Sequence, residues 1–144
     1  MYMLKILEQQ SDAQIPEGVA TYREMTIRIA DRQRPEPDLM LLWESGREGI
    51  HDTWVEPRVV QLAVEIVSPE SGLRDHERKP QLYAEAGIPH FWLVEEESHM
   101  EAVVYAYELD PVNKRYANVG VHRKRLKANA PCDLEIDLTR LPSW

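Results

Sequence analysis

Two acidic residues stand in apolar segments of this sequence. Asp38 precedes the apolar run 39–43, and Glu65 lies inside the almost continuously apolar run 59–67. A buried carboxylate without a partner is costly or takes up a proton, and a shared cation resolves that cost. If the two runs form neighbouring strands, both carboxylates can reach one magnesium ion, which prefers oxygen ligands and keeps several waters. The main-chain carbonyl of Ile66 is a candidate third ligand.

A lysine follows the second acid at a distance that suits the same chemistry. Lys79 lies in the next predicted element, where its ammonium can stabilise charge that develops on a phosphoryl group while a metal activates water. The simpler interpretations are a turn residue for Asp38, which follows Pro37, and a solvated helix charge for Lys79. On the functional interpretation, Asp38, Glu65 and Lys79 predict metal-assisted cleavage of a phosphodiester.

The elements that must position these residues follow from periodicity and from turn signals. A weak amphipathic pattern at 1–9 indicates the end of a helix, and residues 77–86 are helical in composition and stop at Gly87. Because Pro80 lacks an N–H, we expect that helix to begin around 76–79 or to kink there. Residues 44–58 indicate a long loop, of the kind that covers sites. Strands are predicted at 22–29, 39–43, 59–67, 90–94, 102–109, 115–121 and 134–138.

This order of elements, together with the composition, predicts a soluble α/β or α+β domain with a mixed central sheet. The length of 144 residues fits a single domain over 1–144. The sequence has no long apolar span and no signal peptide, so we expect no membrane contact and a cytoplasmic location. A net charge of -8 argues against a broad surface for nucleic acid, although a bound divalent cation would invert the local field. Cys132 is the one cysteine and indicates no disulfide.

Three motifs resemble a known family. The segments EPDLMLL, LAVEIVSPES and RDHERKPQLYAEAGIPHFWLVEE are similar to the Uma-type restriction endonuclease family of the PD-(D/E)xK nuclease superfamily, and CDLEIDL is similar to its closing strand. The resemblance implies a restriction-endonuclease-like core with a mixed sheet flanked by helices, DNA as substrate, magnesium or manganese as cofactor, and a homodimer. It also implies that Asp38 and Glu65 are the two acids and that Lys79 is the lysine, displaced from position 67 to the following helix.

Two departures from the family pattern bear on activity. Family members carry an opening hairpin, an acid and most of a first helix before the point that matches residue 1, so we expect the chain to be shortened at its N-terminus. Glu8 could replace the missing acid only if the helix at 1–9 turns it toward the site. Pro80, directly after Lys79, is the second departure, because it can shift the lysine by a fraction of a turn.

Further residues are candidates for contact with substrate. Ser68 matches a family position beside the metal but also suits a turn, and Arg74 belongs to a charged cluster that equally suits a solvated helix start. Tyr83 lies one turn after Lys79, where it could stack on a base, donate a hydrogen bond to Glu65 or pack under the sheet. Gln61 shares the strand face of Glu65 by alternation. The basic run 122–127 either touches DNA or forms a solvated strand.

Two functions from different classes remain open. The first is a metal-dependent endonuclease in which Asp38 and Glu65 hold the ion and Lys79 steadies the developing charge. The second is a nuclease fold that has lost catalysis and serves as a binding or dimerisation module.

Overall fold

A six-stranded sheet forms the centre of the computed structural model, which describes residues 2–44, 53–67, 73–98 and 101–140. Its strand order is β1-β3-β5-β6-β7-β8, with β5 and β6 parallel and the other pairs antiparallel. The predicted α+β class with a mixed sheet is therefore confirmed. The strands in these ranges are β1 (Val19–Arg23), β2 (Thr26–Ile27), β3 (Leu39–Trp43), β4 (Trp54–Val55), β5 (Val60–Val67), β6 (His90–Ser98), β7 (Glu101–Asp110), β8 (Arg115–His122), β9 (Arg125–Ala128) and β10 (Leu134–Asp137).

The central position of β5 follows from its sequence. VQLAVEIV has apolar residues on both sides of the strand, as a strand covered on both faces requires. It lies between β3 and β6, and its residues Leu62, Ala63 and Val64 are fully buried. The strands predicted at 39–43 and 59–67 are thus confirmed, the second with a start one residue later.

Two helices cover the two faces of the sheet. Helix α1 (Tyr2–Asp12) buries Leu4 and Leu7 against the face that carries Leu41, Leu62 and Val64, which we call the α1 face. Helix α2 (Leu73–Glu85) covers the opposite face, called the α2 face, whose buried core includes Met40, Ala63, Tyr83, Ile88 and Phe91. Neither helix approaches the length and apolarity that a membrane crossing requires, and no other helix in the described ranges does so.

The C-terminal strand lies outside the main sheet. The strand predicted at 134–138 is present as β10, which pairs with β9 in a two-stranded ribbon on the α1 face. Two glutamines of the first segment bind the main chain of β10. Gln10 exchanges hydrogen bonds with Asp137 at 2.8 and 3.2 Å, and Gln14 does so with Glu135 at 2.7 Å in both directions. These amides satisfy a strand edge that would otherwise be open to another chain.

Helix α2 begins earlier than Pro80 led us to expect. It starts at Leu73, so Pro80 stands inside it rather than in its first turn. The predicted start at 76–79 is wrong, and the alternative, a kink at that point, stays a prediction. A proline inside a helix removes a single hydrogen bond and crowds one carbonyl. Burial of Tyr83 and Ala84 in the turn after Pro80 favours the continuous helix.

Three strand boundaries also differ from the predictions. The strand expected at 22–29 is split into β1 and β2, because Glu24 adopts a left-handed conformation (φ 53°) and β2 pairs with β4 instead. The loop expected at 44–58 contains β4 and the start of a short 3-10 turn, Pro57–Val59, while residues 45–52 lie outside the described ranges. Strand β6 continues through the acidic stretch to Ser98, since Glu95 and Glu96 pair with β7. The strands predicted at 102–109 and 115–121 are confirmed as β7 and β8, which pair as a hairpin.

Candidate active site

The pairing of β3 with β5 brings Asp38 and Glu65 together. Leu39 pairs with Val64 in this antiparallel ladder, so one further step places Asp38 opposite Glu65. Directly opposed residues point to the same face with their Cβ atoms about 4.5–5.5 Å apart. Met40 and Ala63, their neighbours by alternation, belong to the α2 face, so both carboxylates lie on that face.

Asp38 is fixed by the main chain of the other strand. Its Oδ2 accepts a hydrogen bond from the Ile66 N–H at 2.7 Å. A carboxylate that accepts from a backbone N–H is held in a single orientation by a charge-assisted bond. This bond also places the main chain of Ile66 at the site, beside both acids.

Glu65 is a buried carboxylate with two donors. The Tyr83 hydroxyl donates to its Oε1 at 2.5 Å and the Lys79 ammonium donates to its Oε2 at 3.3 Å. Burial raises the pKa of Glu65 to about 7, and the charge of Asp38 adds to that rise, whereas Tyr83 and Lys79 oppose it. Burial therefore favours the protonated form of Glu65, and the two donors favour its carboxylate form.

Helix α2 supplies both of these donors from one side. Lys79 and Tyr83 are four residues apart, which places them one turn apart on the same helix face. Tyr83 is 0% exposed, and its ring packs on Phe91 with centroids 5.9 Å apart. Burial is the largest cause and the negative charge of Glu65 is the second, and together they raise the pKa of Tyr83 far above its usual range. The hydroxyl therefore keeps its proton and remains a donor. A base cannot stack on a ring this deeply buried, so of the three alternatives for Tyr83 the structure shows the hydrogen bond to Glu65 and the packing under the sheet.

The other predicted residues do not join this group. Gln61 lies at an irregularity between β3 and β5, four residues from Glu65. That separation is about 13 Å along a strand, too far for contact. Glu8 forms an ion pair with Arg23 at 3.2 Å on α1, the helix of the opposite face, so it does not replace a third acid. Ser68 lies outside the described residues, and of Arg74 only the main chain, in the first turn of α2, is described.

The donor set suits a hard divalent cation. Magnesium is commonly held by one or two carboxylates and otherwise by water and substrate oxygens. Asp38 and Glu65 supply the carboxylates, and a cation beside Glu65 would favour the charged form that burial opposes. In the described parts of the chain, no group of three or more histidine, cysteine, aspartate or glutamate residues is arranged to hold a metal. The residues therefore fit an ion that keeps much of its water, and not a fully protein-bound one.

A family comparison identifies the relatives of this chain. The model of the Uma2 family, described as "Putative restriction endonuclease", matches residues 3–139. The chain belongs to the Uma2 family. The resemblance in the three sequence motifs is thereby confirmed, and the match extends well beyond them, toward both ends of the chain.

A comparison with solved structures agrees with this assignment. One match is a crystal structure from Anabaena variabilis, described as "a putative nuclease belonging to DUF820", with a TM-score of 0.69 and 14% sequence identity. The alignment covers 97% of this Uma2 chain and 78% of the other chain. At this identity the likeness shows the fold. No curated protein matches the sequence.

Proposed function

We propose that this Uma2 protein hydrolyses phosphodiester bonds in DNA with the help of magnesium or manganese. The observation that carries the proposal is the buried Glu65, placed opposite Asp38 and contacted by Lys79. The family description supports an endonuclease, and the net charge of -8 favours cleavage at a local metal site over broad electrostatic binding.

Each residue of the site has a separate task in this proposal. Asp38 and Glu65 would hold the cation, which supplies polarisation of a phosphoryl oxygen and a lower pKa for bound water. The Ile66 N–H orients Asp38, and the Tyr83 hydroxyl orients Glu65. The side chain of Lys79 is 33% exposed and its bond to Glu65 is long, so the ammonium can turn to a phosphate that enters from solvent.

A metal titration with a cleavage assay tests the proposal. Mg²⁺ or Mn²⁺ should raise the melting temperature of the protein, by the equivalent of about 2.7 kcal/mol at a concentration 100 times Kd. Asp38→Asn should abolish this shift and lower cleavage of labelled DNA on the order of 10³-fold. The exposed Asp133→Asn is the matched control and should behave like wild type. Equal metal responses in the two variants would refute the site.

The second candidate function is binding without cleavage. One observation favours it: both carboxylate oxygens of Glu65 already have donors within the protein, so the site is internally satisfied. A protein of this kind would bind nucleic acid equally well in EDTA and in Mg²⁺ and would leave the strands intact, whereas the nuclease cuts only with the metal.

We also propose that the protein forms a homodimer through β8. This strand is the last of the sheet, so its outer main-chain groups can pair with another strand, and Val119 and Val121 are exposed on it. Val119→Lys should shift the mass measured by sedimentation toward the monomer. Val112→Lys, at the 88% exposed valine of the hairpin turn, should leave it unchanged. The cytoplasmic location stays a prediction from the sequence.

A further inference from the structure

A groove of about 660 Å³ runs beside the candidate active site on the α2 face. Helix α2 forms one wall with Pro80 and Ala84, the sheet forms the floor with Leu93 and Tyr107, and the turn of the β7–β8 hairpin forms the far end with Lys114. Small-ligand sites have volumes of about 300–1,000 Å³, so the groove has room for a nucleotide and not for a duplex.

The groove is continuous with the residues of the site. Leu93 is the parallel neighbour of Glu65 across β5 and β6, which are about 4.8 Å apart. On the helix side, Pro80 follows Lys79 directly. A strand whose phosphate contacts Lys79 beside Glu65 can therefore place an adjoining nucleotide in the groove.

Aromatic rings form the deeper part of the groove. Phe91 and Tyr116 stack with centroids 5.5 Å apart and planes at 20°, and Tyr107 lies 5.9 Å from Phe91 and 6.4 Å from Tyr116. The Tyr116 hydroxyl donates to the carbonyl of Ile88 at 2.8 Å, which fixes that ring. The half-buried rings of Tyr107 and Tyr116 offer a surface to an unpaired base, whatever its identity.

Two cations stand at the far end of the groove, although the protein as a whole has a net charge of -8. Lys114 and Arg115 line it, and Glu85 is the acidic residue in its lining. Asp110 stands in the same turn opposite Arg115, and its carboxylate accepts hydrogen bonds from the N–H groups of Val112 and Asn113 and from the Asn113 side chain. Glu108 lies on the opposite face by strand alternation. The positive charges of Lys114 and Arg115 thus lie beside the rings, where they can attract the phosphates of a nucleic-acid backbone.

We propose that this groove binds an unpaired segment of the strand that is cut, so that the substrates are single-stranded DNA and DNA with single-stranded flanks. The inference rests on the proposed nuclease function. The rings stack on exposed bases, and Lys114 and Arg115 contact the phosphates next to them. A duplex hides its base faces and gains nothing from the rings.

Binding in EDTA tests the groove separately from catalysis. The probe is a fluorescein-labelled single strand, measured by fluorescence anisotropy over a range of salt, beside a duplex of the same sequence. The variant Lys114→Gln/Arg115→Gln should weaken single-strand binding and lower the slope of log K against log salt by about 1.4, for two phosphate contacts. The matched control is Lys124→Gln/Lys127→Gln on the exposed basic segment of the other face, with no expected change.

The tyrosine is tested by two substitutions at one position. Tyr107→Leu should weaken single-strand binding about 5- to 150-fold, whereas Tyr107→Phe, which keeps the ring, should bind like wild type. Equal losses in both variants would show a role other than stacking and would overturn the assignment of the rings. The exposed Lys114 and Arg115 variant gives an answer even if Tyr107→Leu fails to fold.

The remaining outcomes separate the groove from the nuclease. Groove-dependent binding without cleavage in any metal would support the groove and refute the nuclease. Metal-dependent cleavage with no effect of the groove variants would support the nuclease and overturn the groove. Tighter binding of the duplex, or loss of binding in the Lys124 and Lys127 control, would also overturn the groove and point to the basic segment at 122–127.

Discussion

The two faces of the sheet bury different chemistry. The α1 face is closed by α1 and the β9–β10 ribbon, and its core is largely aliphatic. The α2 face buries a carboxylate, a phenol and several further rings, and the groove remains open beside α2. Among the described residues the buried polar side chains are Ser11 and Glu65. The contrast indicates that the α1 face provides stability, while the α2 face gives up some of it to hold a charged site.

The largest effect on stability should come from the α1 face. Leu41→Ala removes a fully buried side chain and should lower the free energy of unfolding by about 2–5 kcal/mol, measured by urea denaturation. DNA cleavage per folded molecule should stay the same, because Leu41 faces away from Glu65. Val112→Ala, at an exposed position, is the control. A large loss of cleavage in folded Leu41→Ala would end the division of roles between the faces.

The cost of burying the Glu65 carboxylate should be measurable as a dependence of stability on pH. Its pKa rises from 4.5 to about 7 on folding, so the native state holds the proton more tightly than the unfolded state. The stability that this tighter proton binding adds is complete below pH 4.5 and is lost as the pH rises to 7. The free energy of unfolding should fall by roughly 3 kcal/mol over this range in metal-free buffer.

The substitution Glu65→Gln isolates that contribution. The variant should lack the loss between pH 4.5 and 7 and should exceed wild type in stability at neutral pH, although it cannot cut DNA. Glu17→Gln, at an exposed glutamate, should follow the wild-type curve. Parallel curves for wild type and Glu65→Gln would mean that Glu65 is not strained by burial.

The tyrosine beside Glu65 should have a smaller and specific effect. Tyr83→Phe removes the hydroxyl that orients Glu65 and should lower metal affinity about 10- to 100-fold. Because the lost bond favours the charged carboxylate, the pKa of Glu65 should rise further, and the pH profile of metal binding should move to higher pH. Tyr105→Phe is the matched control, since its hydroxyl donates to Glu95 at 3.1 Å. An unchanged profile in Tyr83→Phe would contradict the positioning role.

The smallest effect should come from the amides that bind β10. Gln14→Ala removes two hydrogen bonds to Glu135 and should cost about 1 kcal/mol of stability. Gln9→Ala, at an exposed position of α1, should cost almost nothing. Thermal melts of the two variants suffice, and equal melting temperatures would show that water replaces the Gln14 amide without loss.

The sequence was most informative where one residue contradicts its surroundings. Asp38 and Glu65 are recognisable because an acid in an apolar strand needs a reason, and the pairing of two such strands then brings them together. Lys79 followed from its place in the next helix and from the family resemblance. The roles of Asp38, Glu65 and Lys79 in catalysis stay predictions. The proximity of the two acids follows from the two strand patterns and from the register in which those strands pair.

The remainder depended on contacts between distant segments. The hydrogen bond from Tyr83 to Glu65 was one of three alternatives. Helix spacing predicts on which side of the helix a residue lies, but not which residue it contacts. The groove was missed, since Tyr107 and Tyr116 meet Phe91 only after the hairpin folds over β6. The predicted helix start was wrong because burial of Tyr83 outweighs the preference of proline for the first turn of a helix. The ribbon pairing of β10 carries no local signal, as its outer edge is satisfied by glutamines more than a hundred positions away.

Those glutamine contacts also bear on the order of folding. They join residues separated by 121 and 127 positions, and Leu4 and Leu7 share a core with Leu126, Leu134 and Ile136. During synthesis, α1 leaves the ribosome before β10 and lacks this part of its core until β10 has followed. Contacts of such long range slow folding, and the exposed leucines of α1 are open to chaperones in the interval. The first helix of the chain is thus among the last elements to be completed.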